Sequence, residues 1–286
     1  MGERVAGEGG LEKVVLRSGD GATADVYLHG AHVTSWCPSP GGRERLFVSR
    51  ASEFHDDAAI RGGIPVIFPQ FALEGPLPRH GFVRTRGWAL EALDHEAGGD
   101  AVASFTLADS SATRGLWPHA FKATIVVRVG GERLTVTMGI ENTGDTSFDF
   151  HGALHTYLRA DDVSDVELVG LHGTQYRDQG ARDVLKFEQR EVIRVDGELD
   201  RVFVGAPSRL TLREPTRELA IETEAFPDVV VWNPGAVKAA AMTDMEPGGE
   251  KHMICVEAAI VQQPITLDPG RRWSGWQRLV DLARAT

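Results

Sequence analysis

Apolar residues along this chain recur mostly at every second position, a spacing typical of half-buried β-strands rather than of amphipathic helices. The hairpin signal is clearest where Gly130-Gly131-Glu132 separates ATIVVRV from RLTVTMGI. Segments with this pattern and many Val, Thr, Ile and Phe residues are ADVYLHGAHVTSW (24–36), AVASFTLAD (101–109), FKATIVVRVGGERLTVTMGIENTG (121–144) and DVVVWNP (228–234).

Helical patterns are scarce. AVKAAAMTDM (236–245) can form one short helix, and the last dozen residues are ambiguous. No linker or internal repeat divides the chain. We therefore predict one all-β domain over residues 1–286, a large antiparallel β-sandwich with a ligand cleft on its concave face. Residues 1–10, charged and glycine-rich, are expected to form a flexible N-terminal tail.

Composition narrows the function classes. Of the 286 residues, 42% are hydrophobic and 25% are charged, as in ordinary globular proteins. A formal net charge of −11 argues against binding to nucleic acid or to anionic membranes. The start of the chain lacks the apolar core of a signal peptide, and no apolar run reaches membrane-spanning length. We expect a cytoplasmic monomer that acts on a small molecule.

Against this acidic background, the stretch LPRHGFVRTR (77–86) gathers four potential cations: Arg79, His80, Arg84 and Arg86. In extended geometry His80 and Arg84 share one face, and Arg79 lies on the other. Arginine binds phosphate well through its planar fork of donors. Taken alone, however, the stretch fits a charged, solvated sheet edge better than a binding site.

A second polar insertion is Arg61 in IRGGIPVIFPQF (60–71). Gly62 and Gly63 after it have no side chains, so the backbone and the guanidinium can approach a ligand closely. The alternative is an arginine on a loop rim, paired with a nearby acid.

A third is FDFHGALHTYL (148–158), in which His151 and His155 lie four residues apart on one strand face with Tyr157. Together with His29 and His32 they could be imagined as a metal site. No carboxylate stands at a supporting spacing, so we predict no metal; same-face histidines also serve as acid–base groups or as core residues.

The last insertion is Glu257 in HMICVEAAIV (252–261), where it interrupts a run of apolar residues. Burying a carboxylate is costly and raises its pKa, which makes it a better proton acceptor at neutral pH. This favours a general base over the alternative, an ion pair with a buried arginine.

In order and spacing these motifs resemble the glucose-6-phosphate 1-epimerases, hexose-6-phosphate mutarotases of the aldose 1-epimerase superfamily. The resemblance runs from about residue 20 to residue 275. It rests on the segments IRGGIPVIFPQF, LPRHGFVRTRGW, HGALHTYL, VVVWNPG and MICVEAAIV.

The resemblance implies a β-sandwich with a sugar cleft, no cofactor, and anomer interconversion of an aldohexose 6-phosphate. It implies His155 as the catalytic acid and Glu257 as the base. Residues that the resemblance places at the substrate are Arg61, Arg79, His80, Arg84 and Asp200.

Two positions depart from the family pattern: Arg79 stands where relatives carry a glutamine that contacts substrate, and Gly235 where a bulky residue is common. Three other functions stay open. An aldose 1-epimerase on unphosphorylated hexose is disfavoured only by the arginines. A non-catalytic carbohydrate-binding protein could use tryptophans, although most of the six should be core residues. A cupin-type metal enzyme would use His29, His32, His151 or His155.

Overall fold

The structure is a computed structural model that describes residues 2–179 and 184–282. Two short α-helices lie in these ranges, α1 (Ser111–Leu116) and α2 (Gly235–Ala239). The described strands are β1 (Glu3–Ala6), β2 (Glu12–Arg17), β3 (Thr23–Tyr27), β4 (His32–Cys37), β5 (Val66–Ile67), β6 (Ala89–His95), β7 (Ala101–Ala108), β8 (Phe121–Gly130), β9 (Arg133–Asn142), β10 (Phe148–Leu154), β11 (Tyr157–Arg159), β12 (Glu167–Val169), β13 (Gln175–Asp178), β14 (Lys186–Phe187), β15 (Val192–Ile193), β16 (Leu199–Val204), β17 (Arg209–Arg213), β18 (Glu218–Glu224), β19 (Asp228–Asn233), β20 (Met253–Leu267) and β21 (Arg272–Leu282).

These strands form three antiparallel sheets. A small sheet has the order β1-β2-β3-β4. A sheet of eight strands runs β14-β13-β16-β19-β20-β10-β5, with β11 also paired to β20. A sheet of nine runs β15-β12-β17-β18-β21-β9-β8-β7-β6. The predicted hairpin is confirmed, since β8 and β9 pair from Phe121↔Asn142 to Gly130↔Arg133. The helix predicted after Asn233 is α2, and the ambiguous C-terminal segment contributes to β21.

One large core lies between the eight- and nine-stranded sheets, and it confirms the all-β sandwich. It takes Ile125 and Val136 from the nine-stranded sheet and Phe150 and Ile260 from the eight-stranded sheet. The eight-stranded sheet is also covered on its other face, where Tyr157 and neighbouring apolar side chains form a smaller cluster. Residues 253–261 of β20 are therefore buried on both faces, which explains why the sequence there is apolar apart from Glu257.

The two faces of β20 pack against different parts of the protein. Alternate residues such as Val256 and Ala258 pack into the large core. Cys255 and Ala259 belong to the clusters on the opposite face. Because side chains alternate along a strand, Glu257 lies on that opposite face too. The candidate site is built there.

The N-terminal tail prediction is wrong for the described residues. Glu3–Ala6 forms strand β1, paired in register with Glu12–Val15 of β2. Arg4 donates a hydrogen bond from Nε to Glu12 Oε1 at 2.8 Å, and the Glu8 amide donates to the Tyr27 hydroxyl at 3.0 Å. Glycine content suggested flexibility, but the paired edge of a sheet orders this segment.

The basic stretch at 77–86 is not extended. The prediction that its side chains alternate between two faces assumed an extended edge strand. His80 has a φ of 67°, and Val83–Thr85 forms a 3₁₀ turn. Side-chain directions therefore do not alternate along this stretch. Elsewhere, no helix among the described residues is long and apolar enough to cross a membrane.

Candidate active site

A cavity of about 200 Å³ opens on the face of the eight-stranded sheet that points away from the large core. Every site residue expected from the sequence lines it: Arg61, Arg79, His80, Arg84, His155, Asp200 and Glu257. The remaining wall consists of Phe71, Ala72, Gln179, Val230, Trp232, Lys238 and Met242. One cavity thus combines four cationic side chains, two histidines and two carboxyl groups.

Glu257 and His155 meet at the floor of this cavity. Glu257 is held in the middle of β20, opposite Val230 of β19. His155 follows directly on the last residue of β10, and its amide donates to the Pro65 carbonyl at 3.0 Å. Its Nδ1 lies 3.3 Å from Glu257 Oε1. The two groups are close but not aligned as a hydrogen bond, since Nδ1 has no hydrogen-bond partner, nor does Glu257 Oε2.

Burial favours the neutral form of both groups. It raises the pKa of Glu257 well above its usual range, and the charge of Asp200 adds to this. It lowers the pKa of His155 well below its usual range, and repulsion from Arg61 and Arg84 adds to this. The pKa of Glu257 is thus raised, as the sequence predicts for a buried carboxylate. A carboxylate that is shielded from water at this position would be a strong proton acceptor.

His80 lies beside this pair, with its ring centroid 5.4 Å from that of His155. Its Nδ1 accepts a hydrogen bond from the Ala72 amide at 3.3 Å, so in the neutral ring the proton is on Nε2. Burial, followed by repulsion from His155 and Arg84, lowers the pKa of His80 well below its usual range. His80 is therefore a neutral hydrogen-bond donor.

Arg61 is held by two neighbours. Its Nε and Nη2 donate to Asp244 Oδ2 at 3.0 and 2.7 Å, and its Nη1 donates to the Tyr157 hydroxyl at 2.8 Å. The alternative from the sequence, an arginine paired with an acid, is thus also present. Pairing and cavity lining coexist because only part of the guanidinium is used.

Arg84 differs from Arg61 in having no carboxylate partner within ion-pair distance among residues 2–179 and 184–282. Its Nη2 donates instead to the Arg79 carbonyl at 3.0 Å. Burial, together with repulsion from Arg61 and Arg79, lowers the pKa of Arg84 to about 10. A half-buried cation without a counter-charge, beside two more cations, favours binding of an anion.

Arg79 and Asp200 lie toward the mouth of the cavity. Arg79 is exposed but lines the wall, against the prediction from strand parity, because the chain turns sharply at His80. Asp200 projects from β16, 3.8 Å from Lys238 Nζ. Burial raises the pKa of Asp200. Lys238 is also paired with Glu198, at 2.8 Å.

Gly62 has a different role from the one expected. Its φ is 118°, and a Cβ there would lie 2.2 Å from the Phe47 carbonyl oxygen. Gly63 similarly packs against the Val33 carbonyl. The two glycines allow close packing between backbone segments, and Arg61 is placed by that packing rather than by an approach of the ligand to the glycines.

The imagined histidine metal site does not assemble. His29 and His32 are bonded through Nε2 to the carbonyls of Ala58 and Gly62, both at 2.7 Å. Across the described ranges, no three His, Cys, Asp or Glu side chains are grouped so that they could hold a metal ion.

Several residues of the site are not indicated by the sequence patterns. From the sequence, Tyr157 is only a residue on the same strand face as His155. Trp232 is only one of six tryptophans. Their spacing gave a signal, since Tyr157 shares parity with His155 and Trp232 precedes Asn233-Pro234 at the end of a strand. Gln179, Lys238 and Asp244 gave none: a turn and helix α2 bring Gln179 and Lys238 to the cavity, and Asp244 contacts it only through Arg61. The other wall residues missed were Phe71, Ala72, Val230 and Met242.

The family follows from a comparison with known proteins. A family model described as aldose 1-epimerase matches residues 12–280. The chain belongs to this family. The matched residues include every residue that lines the cavity.

Relatives carry more specific names. The chain is 38% identical over 282 residues to a protein of Cenchrus ciliaris provisionally named glucose-6-phosphate 1-epimerase, covering 96% of this chain and 85% of that protein. A protein of Escherichia coli K12 with the same provisional name is 33% identical over 250 residues, covering 84% and 80%. A crystal structure from Salmonella typhimurium, provisionally titled a mutarotase, superposes with a TM-score of 0.87 at 27% identity, covering 96% and 91%.

Proposed function

We propose that this protein interconverts the α and β anomers of an aldohexose 6-phosphate, with glucose 6-phosphate as the main substrate. The observation that carries the proposal is the contact between His155 and Glu257, 3.3 Å apart, in a cavity also lined by Arg61 and Arg84. The names of the relatives support the same substrate class.

Anomer exchange needs two proton transfers and no redox chemistry. Ionised Glu257 takes the proton from the C1 hydroxyl while protonated His155 gives one to the ring oxygen, and the C1–O5 bond breaks. The C1–C2 bond then rotates. In the reverse transfers, Glu257 returns its proton to the aldehyde oxygen as His155 removes the proton from the C5 hydroxyl, and the ring closes on the other face of the carbonyl.

The directions of the two pKa shifts favour the state that ring opening produces. After ring opening Glu257 is protonated and His155 is neutral, the state that burial favours for both groups. Burial therefore favours the two proton transfers of ring opening, but it disfavours the ionised Glu257 and protonated His155 from which opening starts. Positioned groups of this kind contribute about 10²–10⁴ each in rate.

His80 and Asp200 complete the sugar contacts. The Nε2 proton of His80 supplies a neutral donor for the ring oxygen or for a hydroxyl as charge develops. The Asp200 carboxyl accepts hydrogen bonds from sugar hydroxyls at the mouth of the cavity.

The phosphate would be bound on the arginine side. Arg84 has no carboxylate partner in the described residues, and Arg61 retains two donors beyond its contacts with Asp244 and Tyr157. A guanidinium pair matches a phosphate dianion in charge and geometry. The cations thus explain local anion binding by a protein with a net charge of −11.

Exchange spectroscopy of ¹³C1-labelled glucose 6-phosphate tests the proposal, because magnetisation transfer between the two anomers reports exchange directly. We expect catalytic amounts of the protein to accelerate exchange of glucose 6-phosphate more than exchange of free glucose. A greater acceleration of free glucose would instead support an unphosphorylated hexose as substrate. Binding without any accelerated exchange would overturn the proposal and support a carbohydrate-binding protein. That the protein works in the cytoplasm as a monomer without a cofactor stays a prediction.

A further inference from the structure

Tyr157 contacts both functional halves of the cavity. Its ring stacks on that of His155, with centroids 4.8 Å apart and planes inclined by 12°. Its hydroxyl oxygen accepts a hydrogen bond from Arg61 Nη1 at 2.8 Å. One side chain therefore lies between the proposed acid and one of the proposed phosphate-binding cations.

The hydroxyl fixes the orientation of Arg61 together with Asp244. Asp244 Oδ2 binds the Nε and Nη2 edge of the guanidinium, at 3.0 and 2.7 Å. Tyr157 binds Nη1. Contacts on two edges prevent the planar group from rotating, so its two remaining donors keep a fixed direction.

The ring fixes His155 through packing. Tyr157 is 1% exposed and is held by its pairing with Cys255 in β20. Trp232 packs edge-on against both rings, with centroids 5.9 Å from Tyr157 and 6.0 Å from His155. His155 Nδ1 has no hydrogen-bond partner, so ring packing is what orients the imidazole.

We propose that Tyr157 is a positioning residue that joins recognition of the 6-phosphate to placement of the acid–base pair, its hydroxyl acting on Arg61 and its ring on His155. The inference rests on the proposed function for the identity of the ligand. It assigns separate tasks to two parts of one side chain, and each part can be removed alone.

The hydroxyl has a location that suits this task. Arg61 and Arg84 line the sugar cavity and also a neighbouring cavity of about 190 Å³, which Tyr157 and Asp244 help to form. The Tyr157–Arg61 hydrogen bond thus lies at the wall shared by the two cavities. Losing the hydroxyl leaves the guanidinium held by Asp244 alone, so that its remaining donors no longer keep one direction toward the sugar cavity.

The first test is Tyr157→Phe, which removes the hydroxyl and keeps the ring. Calorimetry with 1-deoxyglucose 6-phosphate and 1-deoxyglucose measures binding without ring opening, so it does not depend on turnover. We expect the preference for the phosphorylated ligand to fall about tenfold, the scale of one hydrogen bond to a charged group. The matched control is Tyr27→Phe. It removes a hydroxyl that lies away from the cavity and accepts a hydrogen bond from the Glu8 amide. An unchanged preference in Tyr157→Phe would overturn the proposal.

The second test is Tyr157→Leu, which also removes the stacked ring. We expect kcat for glucose 6-phosphate to fall at least tenfold below that of Tyr157→Phe, with a shifted pH profile because His155 has lost its packing partner. Equal kcat and pH profile in the two variants would overturn the role of the ring. Anomer exchange by the wild type tests the proposed function separately, and the calorimetry result stands whichever way that experiment ends.

Discussion

The Nδ1 atom of His155 lies 3.3 Å from Oε1 of Glu257, although these residues are about a hundred positions apart in the chain. Strand pairing creates this closeness. Ala153 and Leu154, just before His155, pair with Ala259 and Ala258 of β20, just after Glu257. The proposed acid and base are therefore set by the register of two central strands rather than by mobile loops.

Replacing either member of this pair should stop catalysis without unfolding the protein. We expect Glu257→Gln to lower the rate of anomer exchange by about 10²–10⁴, the contribution of one positioned proton-transfer group. His155→Ala should cost a similar factor. Exchange spectroscopy with glucose 6-phosphate measures the loss, and thermal unfolding provides the folding control. Exchange at the wild-type rate in Glu257→Gln would show that another group is the base.

Arg84→Ala should weaken binding of the phosphorylated sugar much more than binding of the free sugar. Removing a charged hydrogen-bonding partner costs about 1.5–3 kcal/mol, or roughly 10–100-fold in affinity. Calorimetry on both sugars measures the difference. Arg86→Ala is the matched control, because Arg86 lies in the same stretch and does not line the cavity. Equal losses on both sugars would rule out a role for Arg84 at the phosphate.

His32 should make stability depend on pH. Burial, then repulsion from His29 and Arg84, lowers the pKa of His32 to about 3, against the opposing effect of its bond to Gly62. The unfolded state therefore binds a proton more readily. The stability contributed by neutral His32 is complete above about pH 6.5 and is lost as the pH falls toward 3.

Urea unfolding at pH 7, 6 and 5 measures this effect. Between pH 6.5 and 5 one such group costs about 2 kcal/mol of unfolding free energy. We expect His32→Gln to remove that part of the decline, whereas His95→Gln, at an exposed position, should keep it. An identical pH slope in wild type and His32→Gln would contradict the prediction.

Gly235→Ala should destabilise the fold. Gly235 has a φ of 62°, and a Cβ there would lie 2.6 Å from the Glu198 amide nitrogen, a backbone atom that cannot move aside cheaply. Left-handed strain alone costs about 1–3 kcal/mol. Chemical denaturation of Gly98→Ala gives the comparison, because no neighbour lies within 4 Å of a Cβ at Gly98. A loss of stability no larger than in Gly98→Ala would mean that the backbone there rearranges freely.

Much of the fold and the centre of the site were predictable from local chemistry. Period-two alternation identifies the sandwich strands, and a carboxylate within the apolar run of β20 identifies Glu257 because burying it is costly. The implied site residues also converge on one cavity. The prediction that Arg79 points away from His80 and Arg84 was wrong. It assumed an extended chain, whereas His80 has a positive φ.

What could not be predicted depends on long-range packing. Asp244 reaches Arg61 across 183 positions, and nothing in its own sequence neighbourhood indicates that contact. The role of Gly62 depends on the approach of the Phe47 carbonyl, which only the folded chain reveals. The N-terminal strand was missed because glycine and charge suggest flexibility when no pairing partner is known.

Strand β20 lies in the middle of its sheet, between β19 and β10, yet it is the last of the eight strands of this sheet in sequence order. A ribosome therefore makes it after the other seven strands of this sheet. Until then, the segment that contains His155 lacks its neighbour, and the two halves of the sheet have nothing to join them. Folding of this sheet is therefore completed only after β20 has been made, and any chain that stops before residue 253 lacks both the centre of the sheet and the proposed base.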